Sequence, residues 1–354
     1  MREVIADYAA RIRAAAADKR RLWLRGGGSK DFYGETPRGE LLDTCAYAGI
    51  VAYEPTELVV TVRCGTPLAE LDAALLAQGQ QLAFEPPHFG GKATVGGMVA
   101  AGLSGPRRQA AGAVRDFLLG VRMLDGRGDD LSFGGQVMKN VAGYDVSRAL
   151  AGSLGTLGLL LEVSFKVLPL PVAEATLRLE LPQDKALEML NHWGGKPLPI
   201  SACAWADGNL SLRLSGAASA IKAARVVIGG APMQADAAGA FWRGMREQTD
   251  AFFRSDKPLW RLSVPSATPP LALPGDELIE WGGALRWLVS NADARTIREA
   301  AARSGGHATL FRATDKSAGV FTPLAPALAK IHRNLKRAFD PAGIFNPGRM
   351  YPDL

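Results

Sequence analysis

Two glycine-rich stretches constrain this chain more than any other feature. Residues 25–29 read RGGGS directly after the apolar triplet Leu22-Trp23-Leu24, and residues 93–105 read ATVGGMVAAGLSG. Without side chains, successive glycines let the main chain approach whatever lies opposite, and they can turn several N–H groups toward one concavity. The first stretch is not a Walker loop, because no Gly-Lys-Ser/Thr follows four residues after a glycine. It also fails the dinucleotide fingerprint, since Asp31 stands where Gly26-x-Gly28 requires a third glycine. Taken alone, a tight turn and an anion nest are equally good readings of it, with Ser29 adding a hydroxyl and Lys30 a charge.

The second stretch shifts that balance. Thr94, Val95, Gly96 and Gly97 ahead of residues 98–101 set small residues at a helix start, where main-chain amides attract anions. Gly102, Ser104 and Gly105 continue a surface against which a flat ligand can lie. A ligand-free Ω-loop is the bland alternative.

Composition narrows the class. The 354 residues are 47% hydrophobic and 21% charged, which is ordinary for a globular chain long enough for two domains. The net charge of +6 is scattered along the sequence with no basic stripe among aromatics, which argues against nucleic acid. Cys45, Cys64 and Cys203 are far apart and form no CxxC, the pattern of reduced cytosolic thiols. The first 21 residues lack an apolar leader core, and no run of 18 apolar residues occurs. The expectation is a cytoplasmic chain without a membrane span, with attachment to the inner membrane left open only as a peripheral one through partners.

Periodicity predicts an amphipathic helix over 2–17 and strands over 22–24 and 58–62. A helix then opens at Thr66-Pro67, buries Leu68, Leu71 and Leu75, and closes at Gly79. Runs either side of Asp125-Gly126 predict a hairpin rather than the crossover helix of a doubly wound fold. A strand over 156–168 ends in the Pro-Leu-Pro of 169–171. Beyond it, strands at 175–181, 200–205, 210–214, 259–264, 285–289 and 308–311 alternate with helices at 184–193, 217–227, 240–253 and 293–304. Two βαβ-type halves sharing one antiparallel sheet account for that order.

In sequence order, RGGGS, ATVGGMVAAGLSGPRR, GAVRDFLLGVRMLDG, KNVAGYD and GSLGTLGLLLEV resemble the FAD-binding domain of the vanillyl-alcohol-oxidase (PCMH-type) flavoproteins. The GIFNPGRM tail resembles the bacterial glycolate and D-lactate oxidoreductase branch. KNVAGYDVSRALAGSLGTLG and HRNLKRAFDPAGIFNPGRMYP are similar to the FAD-binding subunits of three-subunit glycolate oxidases. The resemblance covers essentially the whole chain. It implies an α+β chain with a two-subdomain FAD-binding domain over 1–171 and an antiparallel-sheet-plus-helices cap over 172–320. A C-terminal helix and tail, 321–354, return to the flavin.

Carried over position by position, Gly26, Gly27, Gly28, Ser29 and Lys30 match the loop around the FAD pyrophosphate. Thr94, Gly96, Gly97, Gly102, Ser104 and Gly105 match the segment along the flavin and diphosphate, with Pro87 nearby. Gly112 and Arg115 match the next turn. Gly155 through Leu159, and Glu162, match the adenine side, and Asn346 and Arg349 match the tail near the isoalloxazine.

Departures from the family pattern carry expectations of their own. Relatives with covalently attached FAD carry a histidine where this chain has Ser29, so non-covalent FAD is expected. The His-rich metal motif of catalytic relatives, HxHxxDGNxH, is replaced by GGHATLFRATDKSAGVF with His307 alone, so no metal is expected. His88 and Tyr144 are the weak catalytic candidates. His332, among Lys330, Arg333 and Lys336, reads as part of a solvated helix face, and the tryptophans read as core or interface anchors.

Three functions fit. The first is an FAD subunit that supports oxidation of glycolate, a small 2-hydroxy acid, to glyoxylate. It would work beside a catalytic flavoprotein subunit and an iron–sulfur subunit. The second is a self-sufficient glycolate or D-lactate dehydrogenase, and the third a scaffold with a vestigial flavin site.

Overall fold

The computed structural model describes residues 1–135 and 145–354. The chain divides into two compact units. One comprises residues 1–103, 113–169 and 323–354, and the other residues 104–112 and 170–322. Both large sheets are antiparallel throughout, and helices pack on them, which makes the chain α+β.

The first unit holds a five-stranded sheet in the spatial order Ile50–Glu54, Val59–Arg63, Leu159–Lys166, Leu118–Leu124, Asp130–Gly134. Leu159–Lys166 is central and nearly all buried, as a strand covered on both faces must be. The hairpin read from Asp125-Gly126 is present. The buried Asp125 carboxylate accepts the N–H groups of Arg127 and Asp129, at 2.8 and 3.0 Å, and so fixes the turn.

The helix Arg2–Ala17 forms where its periodicity predicts. It buries Tyr8, Ala9, Ile12 and Ala15 in a core with Leu22, Leu42, Leu161 and Phe345. Leu22–Arg25, the strand that feeds the first glycine loop, pairs in parallel with Glu40–Asp43. On its other edge it takes the C-terminal tail. The Leu22 N–H donates to Ile344 O at 2.8 Å, and the Asn346 N–H donates to Leu22 O at 2.9 Å. The tail is therefore part of the same layer as the glycine loop.

One helix start differs from expectation. The helix is Leu68–Leu76, with Pro67 at its N-cap position and no side-chain cap. The Thr66 hydroxyl instead accepts from Gly49 N at 2.8 Å and donates to Arg63 O at 2.7 Å, so it serves the preceding turn. Leu68, Leu71 and Leu75 are buried as the spacing predicts.

The second unit contains an eight-stranded sheet built from two halves. Ala231–Pro232, Ala173–Glu180, Asn209–Gly216 and Ile200–Ala206 lie in that order. Asp276–Glu280, Leu285–Val289, Leu259–Ser263 and His307–Arg312 complete it. Asp276–Glu280 was not anticipated, because its charged ends hide a two-residue apolar centre. It is the strand that joins the halves, pairing Ala204 with Glu280 on one side and Leu278 with Trp287 on the other.

The helix expected over 240–253 is Ala235–Glu247. Gln248 turns left-handed and stops it, and Asp250 caps a separate 3-10 turn, Ala251–Phe253. Trp205, Trp242, Trp260, Trp281 and Trp287 are all buried, as core residues. No helix among the described residues is long and apolar enough to cross a membrane.

Candidate cofactor site

Two adjoining cavities open in the first unit, with open volumes of about 420 and 510 Å³. They share Leu24, Arg25, Gly26, Gly97, Ala100 and Leu154 as a common wall. The first is otherwise apolar or main chain in character, reached by Cys64, Gly155, Gly158, Leu159 and Leu160. The second is polar and is walled by residues 26–31, Thr94, Asn346 and Arg349.

The glycines are required by close packing. A Cβ on Gly27 would overlap the Lys92 carbonyl, and one on Gly96 would come within 2.7 Å of the Cys64 Cβ. The two glycine-rich stretches press together where a Cβ on Gly26 would overlap the Thr94 hydroxyl, which itself accepts from Gly97 N at 3.2 Å. The far wall is strained. Leu154 has φ 51° and Asn346 φ 40°, left-handed values that non-glycine residues hold only when their surroundings over-determine them. Asn346 supplies part of that determination, with Nδ2 donating to Leu154 O at 2.6 Å and Oδ1 accepting from Leu24 N at 2.8 Å.

Charge is concentrated in the polar cavity. Arg25, Lys30 and Arg349 line it with one carboxylate, Asp31, which Arg25 Nε reaches at 2.7 Å. Lys30 Nζ donates to Ser29 Oγ and His88 O, each at 3.3 Å. Arg349 is buried and binds the carbonyls of Asp31 at 2.9 Å, Tyr33 at 2.5 Å, and Glu35. Burial pulls its guanidinium below the ordinary value while Asp31 and Glu35 push back, and an arginine remains charged there. In the apolar cavity, burial and the Glu162 charge push the Cys64 thiol up, so it is neutral. A cationic pocket continuous with a largely apolar, main-chain-lined one, with Arg25 on their common wall, fits a ligand with a flat ring system and a diphosphate.

The comparisons accord with that fit. The family described as FAD binding domain matches residues 3–149, and the one described as FAD linked oxidases, C-terminal domain, matches residues 314–350. The chain is 50% identical over 343 residues to the glycolate oxidase subunit GlcE of Escherichia coli (strain K12), covering 97% of this chain and 96% of that one. The chain belongs to the GlcE family of FAD-linked oxidases. Within this family it is a flavoprotein oxidoreductase, and its cofactor is FAD.

A more distant relative is the glycolate oxidase subunit GlcD of Bacillus subtilis (strain 168). It is 32% identical over 130 residues, 36% of this chain and 27% of that one. In fold the chain is similar to p-cresol methylhydroxylase, with a TM-score of 0.73 at 13% identity, covering 99% of this chain and 87% of that one.

The structure distributes the GlcE-family residues named from sequence unevenly. Gly26, Gly27, Gly28, Ser29, Lys30, Thr94, Gly96, Gly97, Gly155, Leu159, Asn346 and Arg349 all line one or both cavities. Gly102 ends the Val95–Ala101 helix in a left-handed turn against Gly152, away from both cavity linings. Pro87 is buried and Arg115 exposed, and neither lines them. Glu162 accepts from Arg122 at 3.1 Å and from the Tyr47 hydroxyl.

Ser104, Gly105 and Gly112 belong to the second unit, where Gly105 O accepts from Trp281 Nε1 at 3.1 Å. His88 pairs with Asp72 at 2.9 Å and is not part of either lining. Tyr144 lies outside the described residues.

Several lining residues escaped the sequence reading, Arg25, Asp31, Cys64 and Leu154 among them. Arg25 stands directly before the glycines, and Cys64 directly after a strand, positions that signal proximity to the loop only once the sheet order is known. Lys336, read as part of a solvated helix face, is buried, a correction that periodicity cannot supply because a lysine scores as polar wherever it points.

Proposed function

We infer that this chain is the FAD-carrying subunit of a glycolate-oxidising assembly. In that assembly a partner flavoprotein subunit takes glycolate to glyoxylate, and an iron–sulfur subunit receives electrons. The observation that carries the reading is the near end-to-end 50% identity to a glycolate oxidase subunit, which leaves no segment of that relative unaccounted for beyond a few per cent.

When bound, FAD supplies the redox chemistry, and the chain's residues bind and insulate it. Arg25 and Lys30 sit where they offset anionic charge beside the main chain of residues 26–31. Leu24, Ala100, Leu159 and Leu160 give the first cavity an apolar wall against which a ring system can lie. Ser29, at the position where covalent relatives hold a histidine, offers only a hydroxyl, which supports dissociable FAD. His88, on the 86–89 segment, pairs with Asp72 and lines neither cavity.

A subunit role is also supported at the C-terminal helix, Pro326–Phe339. It leaves Leu328 and Ile331 exposed beside exposed Lys330 and Arg337, an apolar stripe with a basic border of the kind a partner subunit covers. Peripheral membrane attachment, in this reading, comes through partners.

The deciding experiment is an absorption spectrum of the FAD-loaded chain before and after glycolate, alone and with its partner subunits. Persistence of the flavin bands in the isolated chain supports the subunit reading. Bleaching without partners favours a self-sufficient 2-hydroxy acid dehydrogenase, and failure to bind FAD at all favours a scaffold.

A further inference from the structure

The C-terminal helix carries an inverted burial pattern. Its apolar Leu328 and Ile331 are exposed, and the residue it buries is Lys336. All three ammonium protons are used. Lys336 Nζ donates to Thr156 O, Phe345 O and Asp340 Oδ2, each at 2.7 Å. Asp340, itself buried, also accepts the N–H groups of Ile344 at 3.1 Å and Phe345 at 2.8 Å. Burying a charge is costly unless it is paired and its hydrogen-bonding capacity is filled, and both conditions are met.

The identity of the acceptors gives this arrangement its meaning. Thr156 directly follows Leu154-Gly155, and Phe345 directly precedes Asn346. Leu154, Gly155 and Asn346 are cavity-wall residues, all with left-handed backbone. Lys336 lines neither cavity. It therefore grips, from behind, the two strained segments that the Asn346 side chain joins in front.

We propose that Lys336 is a positioning residue for the FAD site: its ammonium holds the 154–156 and 345–346 segments in register, and FAD affinity depends on that grip. The inference rests on the cavities being the FAD site. Burial pulls the lysine below its ordinary value, and the Asp340 carboxylate opposes that pull. Strained backbone at a cavity wall persists only where the surroundings fix it, and here the Lys336 ammonium binds the carbonyls of Thr156 and Phe345, each adjoining a wall residue.

The test is an FAD titration followed by quenching of tryptophan fluorescence, to which Trp23 in the polar cavity wall contributes. Lys336→Met should raise the FAD dissociation constant about tenfold, equivalent to about 1.4 kcal/mol. Melting of the FAD-free chain is measured in parallel. A lysine that is merely architectural would lower the melting temperature and leave the dissociation constant of the folded protein unchanged, and that result overturns the proposal.

If Lys336→Met does not fold, Asp340→Asn is judged by the same criterion. Gly27→Ala distinguishes a misplaced FAD site from a failed positioning role. If wild-type protein binds FAD and Gly27→Ala binds it equally well, the site is misplaced. If Gly27→Ala loses FAD and Lys336→Met keeps it, only the positioning role fails.

Discussion

Asn346 and Leu24, 322 residues apart in sequence, are joined by a 2.8 Å hydrogen bond from the Leu24 N–H to the Asn346 Oδ1. That bond makes the tail a wall of the polar cavity, where we propose that FAD binds. Asn346→Ala leaves the Leu24 N–H and the Leu154 carbonyl without this partner. Both groups are half-buried, so each loss costs up to about 1 kcal/mol, the net worth of an ordinary hydrogen bond. We expect FAD affinity to fall at least tenfold, measured by fluorescence titration, with a lowered melting temperature. An unchanged affinity would remove the tail from the site.

The glycine loop gives a second prediction. Gly27→Ala forces the loop away from Lys92 and should abolish tight FAD binding. Gly91→Ala is the matched control, since a Cβ there meets nothing within 4 Å and its backbone is not left-handed. Equal loss in both variants would mean that the segment responds to any substitution rather than to close packing.

Much of this was legible in sequence, for reasons that can be named. Most strands, the Asp125 hairpin and the helix Arg2–Ala17 follow from periodicity and turn chemistry, which are local. Glu40–Asp43, Ile50–Glu54 and Asp276–Glu280 carry too few apolar residues in alternation to be read that way. The glycine pair at 26–30 and 94–97 was visible because close approach needs glycine. What was not legible depends on contacts distant in sequence. The Lys336–Thr156 bond links residues 180 apart, and no local pattern marks a lysine as buried. Ser104, Gly105 and Gly112 share the small-residue character of Gly96 and Gly97, yet the chain places them in the second unit. Composition cannot distinguish the two destinations.

Flavin attachment is directly testable. With serine at position 29, acid precipitation of the FAD-loaded protein should release all flavin to the supernatant and leave a colourless pellet. A yellow pellet that fluoresces under ultraviolet light would show a covalent bond.

The second unit has an acid-sensitive contact. Burial works to raise the Glu174 carboxyl, but the Ser215 hydroxyl and the Arg107 guanidinium, at 2.5 and 2.6 Å, outweigh it and hold the group below its ordinary 4.5. A carboxyl depressed by folding stabilises above its unfolded value, and that contribution is lost as pH falls through the folded value. Wild-type protein should therefore lose melting temperature on acidification below about pH 4.5 more steeply than Glu174→Gln, compared by thermal scans across that range. Parallel curves would exclude the contact as a source of acid sensitivity.

The most direct measurement of the central claim is the visible spectrum of the isolated, FAD-loaded chain during anaerobic incubation with glycolate. The flavin bands should persist with glycolate alone and bleach once the partner flavoprotein subunit is added. Rapid bleaching of the isolated chain would contradict it.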